Sequence, residues 1–267
     1  MRAPLALVLT LLATAGLLSS CGKGQPSAST RTVTVRATTR SSGGSSKAPS
    51  GGSTQERTAR GRALAFARAV NLRAGDLPGF QSAPRESERS TPTQKRQNRE
   101  LQHCVGAGLG SGAGPDPLAE LSSESFQRKA SIAQVSVSSS VTVHRSGASA
   151  HKELEAIQNP HTHTCFTHYF EGLFTGPAYK GATIGHVSLE SGTPPAPGTS
   201  GSFGWRLRAS LEVHSVHIPF DFDILGFFYG QSEVTLMSTG VAVPFPAATE
   251  QQLFLLLLSR AKAQHLQ

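Results

Sequence analysis

Cysteine is scarce in this chain, with three among 267 residues, and tryptophan occurs once. No zinc-finger ligand spacing is present. No G-x-S-x-G nucleophile elbow occurs either, because "GTSGS" at 198–202 lacks the final glycine. "GLGSGA" at 108–113 matches the G-x-G-x-x-A dinucleotide pattern, but no strand pattern precedes it and Pro115 and Pro117 stand where a helix would have to open. Net charge is also missing from most of the chain. Residues 63–267 carry 16 basic and 16 acidic side chains, so the formal +8 has its source elsewhere. These absences remove the usual signatures of nucleotide binding and of serine hydrolysis, and leave little basis for nucleic-acid binding.

What is present begins at the amino terminus. Arg2 is followed by an almost wholly apolar run from Ala3 to Leu18, then by Ser19, Ser20 and Cys21. At sixteen residues the run is shorter than the roughly 20 a spanning helix needs, and no basic stop-transfer cluster follows, so residues 1–20 read as an export signal. Leu18, Ser19, Ser20 and Cys21 match the lipobox of bacterial lipoproteins, which this leader resembles. The resemblance implies a diacylglyceryl thioether on Cys21, cleavage before it, and anchoring to the membrane by more than one acyl chain. The expected location is the extracytoplasmic face of the cell membrane.

Residues 21–62 read as the lipidated cysteine and a disordered tether rich in serine, threonine and glycine, with hardly a side chain able to build a core. Between residues 22 and 62 eight basic residues face one acid, Glu56. As a flexible coil this length spans roughly 35 Å. Its arginines suit anionic headgroups, at about 1 kcal/mol per charge, or simply keep the tether soluble and extended. With Cys21 committed to lipid, Cys104 and Cys165 remain as an even pair, 61 residues apart, in an exported chain. They are expected to form a disulfide contributing ~4 kcal/mol through loop closure.

Residues 63–267 have the length of one domain. "ALAFARAVNL" carries a helical face and ends at the breakers of "GDLPGF"; a second helix from Thr93 carries Cys104; residues 106–117 form a Gly/Pro loop. "ASIAQVSVSSSVTVHRS" alternates as a strand. "ASAHKELEAIQN" and "THTCFTHYFEGLF" read as helices, and four strands follow after Lys180. Thr249 and Gln252 have capping-box spacing, and a last helix through "LFLLLLSRAKAQ" is expected across the sheet, buried almost all round. Helices followed by runs of strands predict an α+β fold with an antiparallel sheet packed against several helices.

This layout, the cysteine pair, "LRAGDLPGF" and the closing "PFPAATEQQLFLLLLSRA" resemble actinobacterial lipoproteins related to the extracellular sensor domains of membrane Ser/Thr kinases, and the PsbP-like α+β fold. One cysteine pair stands where the kinase sensors usually have two. The resemblance implies a binding domain and supplies no catalytic residue.

Three groups are candidates for chemistry. "HTHTCFTH" would place His161, Cys165 and His168 on one helical face, a set suited to Zn or Cu, but Cys104 competes for Cys165 and exposed first-turn histidines are the simpler reading. His214 and His217 fall on opposite faces of a strand. Asp221 and Asp223 share a face, opposite Phe220, Phe222 and Ile224; they read as an amphipathic strand with Glu212 and Arg206 or Arg208 as polar neighbours, or as a pair that holds Ca²⁺ or serves, with a histidine, as the acid and base of an envelope hydrolase. The aromatic group Phe220, Phe222, Phe227, Phe228 and Tyr229 marks either core or a hydrophobic cleft. The expectation is a non-enzymatic binding domain with no cofactor, no metal and no nucleic-acid partner, whose ligand is a lipid, a wall component or an envelope protein; a hydrolase and a structural spacer are the alternatives.

Overall fold

A computed structural model of the chain describes residues 54–83, 92–105, 117–174, 182–213 and 216–264. The leader with Cys21, the tether up to residue 53, most of the 106–117 loop with "GLGSGA", and His214 lie outside the described residues.

Among the described residues five α-helices and eight strands are formed. The helices are α1 (Thr54–Val70), α2 (Pro92–Val105), α3 (Gly147–Gln158), α4 (Pro160–Phe174) and α5 (Ala247–Ala263). The strands are β1 (Gln81–Ala83), β2 (Ala119–Ser122), β3 (Ser125–Ala130), β4 (Ala133–Val143), β5 (Ala182–Gly192), β6 (Gly201–Val213), β7 (Val216–Tyr229) and β8 (Ser232–Val241). They make one antiparallel sheet in the order β1-β3-β4-β8-β7-β6-β5, with β2 pairing β4 outside that path. The fold is α+β.

Both faces of the sheet are covered, so the core is double. On one face α2, α3 and α4 contribute Leu101, Leu154, Ile157, Tyr169 and Phe170 against Trp205, Leu207, Phe220, Phe222 and Phe228. On the other, Phe66, Ala67 and Val70 of α1 and Leu253, Phe254, Leu257 and Leu258 of α5 pack on Val135, Val137, Val141, Phe227, Val234 and Leu236. β4 and β8 run through the middle and are buried on both sides, and that is why the serines of "SVSSSVTV" are inside: Ser136, Ser138, Ser139 and Ser140 are all buried. At Gly226 there is no room for a side chain, because the Phe203 ring from the partner strand lies where a Cβ would project.

Four expectations are corrected. The first helix begins at Thr54, so Thr54 to Arg62 are helical where the composition reads as tether. The arginines there lie on a helix whose opposite side holds Ala63, Phe66, Ala67 and Val70, and that burial extends the helix upstream. Thr249 does not cap the last helix. Pro246 holds the N-cap position without a side-chain bond, and Thr249 falls in the first turn. The last helix is buried on one side and not all round, since Leu255 points outward at 47% exposure. The short strands β1, β2 and β3 also form where no strand is expected. Their polar sequences "QSA", "AELS" and "SFQRKA" alternate weakly, and pairing with each other and with β4 specifies them.

A buried polar clip closes the α1–α5 face. Ser139 Oγ donates to Asn71 Oδ1 at 2.7 Å and accepts from the Leu72 N–H at 2.9 Å, while Asn71 Nδ2 donates to the Leu121 carbonyl at 2.9 Å. Arg260 of α5 reaches the Asn71 carbonyl at 3.0 Å and grips both oxygens of Asp76 at 2.7 Å.

Candidate functional site

Asp221 and Asp223 lie on the α1–α5 face, and arginines hold both. Arg206 donates to Asp223 through Nε at 2.9 Å and Nη2 at 3.1 Å, and Arg208 Nε stands 3.6 Å from Asp221. Arg206 also approaches Glu250 at 3.8 Å, whose other oxygen accepts from Ser238 Oγ. Burial raises the Glu250 carboxyl's pKa against that hydrogen bond. Arg206 occupies both oxygens of Asp223, so this network ties β6, β7, β8 and α5 together as structure. The amphipathic reading of β7 describes it better than a catalytic pair. Phe220, Phe222, Phe227 and Phe228 are almost wholly buried, divided between the two cores, and line no cleft.

Cys104 and Cys165 are joined in a disulfide linking α2 to α4, with Cα atoms 5.8 Å apart. The histidines around it diverge. His161 Nε2 contacts the Cys104 carbonyl at 3.0 Å, His163 Nε2 the Leu189 carbonyl at 3.0 Å, and His168 pairs with Glu171 on the exposed side of α4. His161 does lie beside both sulfurs, but bridged sulfurs offer no thiolate. The "HTHTCFTH" segment therefore packs a helix and gathers no ligand set.

A different cluster, which the sequence does not signal, lies where β2, β4 and β8 meet α3. Glu120, Thr142 and Glu233 stand directly across from one another on these three adjacent strands. Two residues beyond Thr142, His144 leaves the strand with its backbone N–H on the Gln231 carbonyl and its ring stacked on Phe228, centroids 6.2 Å apart. Ser146 then caps α3 by accepting from the Ser149 N–H, and the helix returns over the sheet to bring Glu153 above the imidazole. Arg145, the next residue, pairs with Glu56 of α1 at 3.1 Å.

In this pocket His144 Nδ1 is 3.5 Å from Glu153 Oε2, and Nε2 is 4.0 Å from Glu233 Oε2. The imidazole side chain is 8% exposed, and its Nε2 has no hydrogen-bond partner. Burial lowers the His144 pKa, so the ring is neutral at pH 7 and keeps a lone pair. Burial, with the Glu120 charge behind it, pushes Glu153 up to about 7; burial, with Glu153 and Glu120, pushes Glu233 up to about 8, against a hydrogen bond from Thr235. No arginine or lysine is among the groups that set either charge. The pocket thus gathers acceptors and is short of positive charge.

No protein-family profile matches the chain, and no curated protein matches it. Among solved structures the chain is similar to the extracellular domain of PknH from Mycobacterium tuberculosis, over 75% of this chain and 96% of that one, with 7% sequence identity and a TM-score of 0.34. A likeness of this degree carries no inference about function.

Proposed function

We propose that this protein is a lipoprotein of the cell envelope, anchored through Cys21 on the extracytoplasmic side, whose folded part is a non-enzymatic binding domain. The observation that supports it is how the three cysteines are allotted. Two are joined within the domain, as suits an oxidising compartment, and the third is left behind Leu18, Ser19 and Ser20. A hydrophobic cleft for lipid has no support at the β7 aromatics, which fill the core. A wall component or another envelope protein is the better-favoured ligand class.

The anchoring is tested by expressing the full chain in a bacterial host with labelled fatty acid and partitioning the extract between detergent and water. The intact chain is expected to carry label and enter the detergent phase, and Cys21→Ala to lose both. An unlabelled wild-type chain in the aqueous phase, or a Cys21→Ala chain that still carries label, would overturn the reading.

A further inference from the structure

We propose that His144, Glu153 and Glu233 form a binding site for one divalent transition-metal ion of the zinc class, at the junction of β4, β8 and α3. The inference stands apart from the anchoring of the chain, since it concerns the folded domain alone.

One donor atom from each of the three side chains lies within 4.8 Å of the others. Metal–nitrogen and metal–oxygen bonds of about 2.0–2.2 Å hold neighbouring donors about 3–4 Å apart. For an ion on Nε2, the Nε2–Glu233 separation of 4.0 Å is of that size, while the 3.5 Å contact of Glu153 is to Nδ1, the ring's other nitrogen, so a small side-chain rotation brings Glu233 onto an ion held by Nε2. The Nε2 atom is the independent sign. It is buried and unpartnered, 4.0 Å from the Glu233 carboxyl. Buried polar atoms are ordinarily satisfied, and a cation between the two satisfies both at once. With Nε2 on the ion, Nδ1 faces Glu153, which then either orients the ring as an outer carboxylate or joins as a ligand.

The donor set selects the class of ion. One imidazole nitrogen with carboxylates suits zinc and its first-row neighbours, whereas calcium and magnesium sites are built from oxygen alone. Glu120, across Thr142 from Glu233, adds negative charge behind the ligands. Glu153 is 24% exposed at its side chain, so solvent reaches the cluster on the α3 side. The Cys104–His161–Cys165 group, the other such cluster among the described residues, is closed to this role by its disulfide.

The test titrates chelator-treated full chain with Zn²⁺ alone by calorimetry and follows Co²⁺ by its visible absorption. One ion per chain is expected. Glu233→Gln and His144→Gln should each weaken binding by at least about tenfold, the lower end of what even outer-shell losses produce. His168→Ala, on the exposed side of α4, should leave it unchanged. Circular dichroism and Trp205 fluorescence report whether each variant folds. In the wild-type chain, which needs no variant, bound Co²⁺ should broaden the amide resonances of Thr142 to Arg145 and spare those around His168. Absence of stoichiometric uptake, broadening centred on α4, or folded pocket variants that bind as the wild type does would overturn the proposal.

Discussion

Asp76 and Arg260 stand far apart in the chain, one just past α1 and the other near the end of α5, and their two 2.7 Å contacts are the closest link between those segments. Burial raises the Asp76 carboxyl, but hydrogen bonds from Arg260 and from the Arg73 N–H, together with both positive charges, outweigh it and hold the group below its ordinary 3.8. A carboxyl with a depressed folded pKa contributes stability that is complete above its unfolded pKa and lost as pH falls through the folded value. Asp76→Asn leaves the partly buried Arg260 without its counter-charge and should destabilise the domain by about 2 kcal/mol at pH 7, less than for a fully buried pair. Urea denaturation at a series of pH values checks this. The gap between wild type and Asp76→Asn should narrow below about pH 4, where the wild-type carboxyl begins to protonate in the unfolded chain. A gap constant down to pH 2 would mean that the pair's charge is not what stabilises.

At the scale of elements, the disulfide is the covalent tie between α2 and α4. α2 is a polar helix that buries Leu101, and the bridge adds to the hydrogen bonds of Gln97 to the Gly172 carbonyl and of Tyr169 to Asn98 that also join it to α4. Cys104→Ser, or reduction of the wild type, should lower stability by about 2–4 kcal/mol in guanidinium denaturation, and proteolysis should then cut first in α2. Unchanged midpoints with and without reductant would contradict this. How far the sequence revealed the elements follows from what specifies each one. The long helices, β4 and the four strands after Lys180 carry a period of 3.6 or 2 and were legible. β1, β2 and β3 have no such period; their neighbours specify them, and nothing local could. The cysteine pair was legible because two cysteines in an exported chain have few alternatives. The carboxylate pocket was not. His144 closes a strand, Glu153 sits in an ordinary amphipathic helix, and Glu233 opens a strand, so each has a bland local explanation and only the pairing of β4 with β8 brings them together. The one local hint is a histidine following "VTV", where the strand's outward residues give way to a buried polar ring.

For the molecule as a whole, the arrangement is one sheet carrying a core on each face, with β7 and β8 shared by both. Strands shared in this way couple the two sides, so the domain should unfold as a unit. Trp205, the single tryptophan, belongs to the α2–α4 face, whereas Phe66 is buried under α1 on the opposite face. Phe66→Ala should therefore cost about 3–5 kcal/mol and shift the unfolding midpoint seen by Trp205 fluorescence as far as the one seen by circular dichroism. A Trp205 signal that keeps the wild-type midpoint would show two independently melting halves.

The Arg145–Glu56 pair sets a direction for the molecule. Glu56 lies in the opening turn of α1, and Arg145 directly follows His144, so the polypeptide comes into the domain at the same pole of the sheet as the carboxylate pocket. The turns bearing the exposed aliphatic side chains of Ile132 and Val216 lie at the other ends of the strands. Any tension on the polypeptide ahead of Thr54 is thus delivered first to the rim of that pocket, while the greasy tips at the far pole are left unloaded.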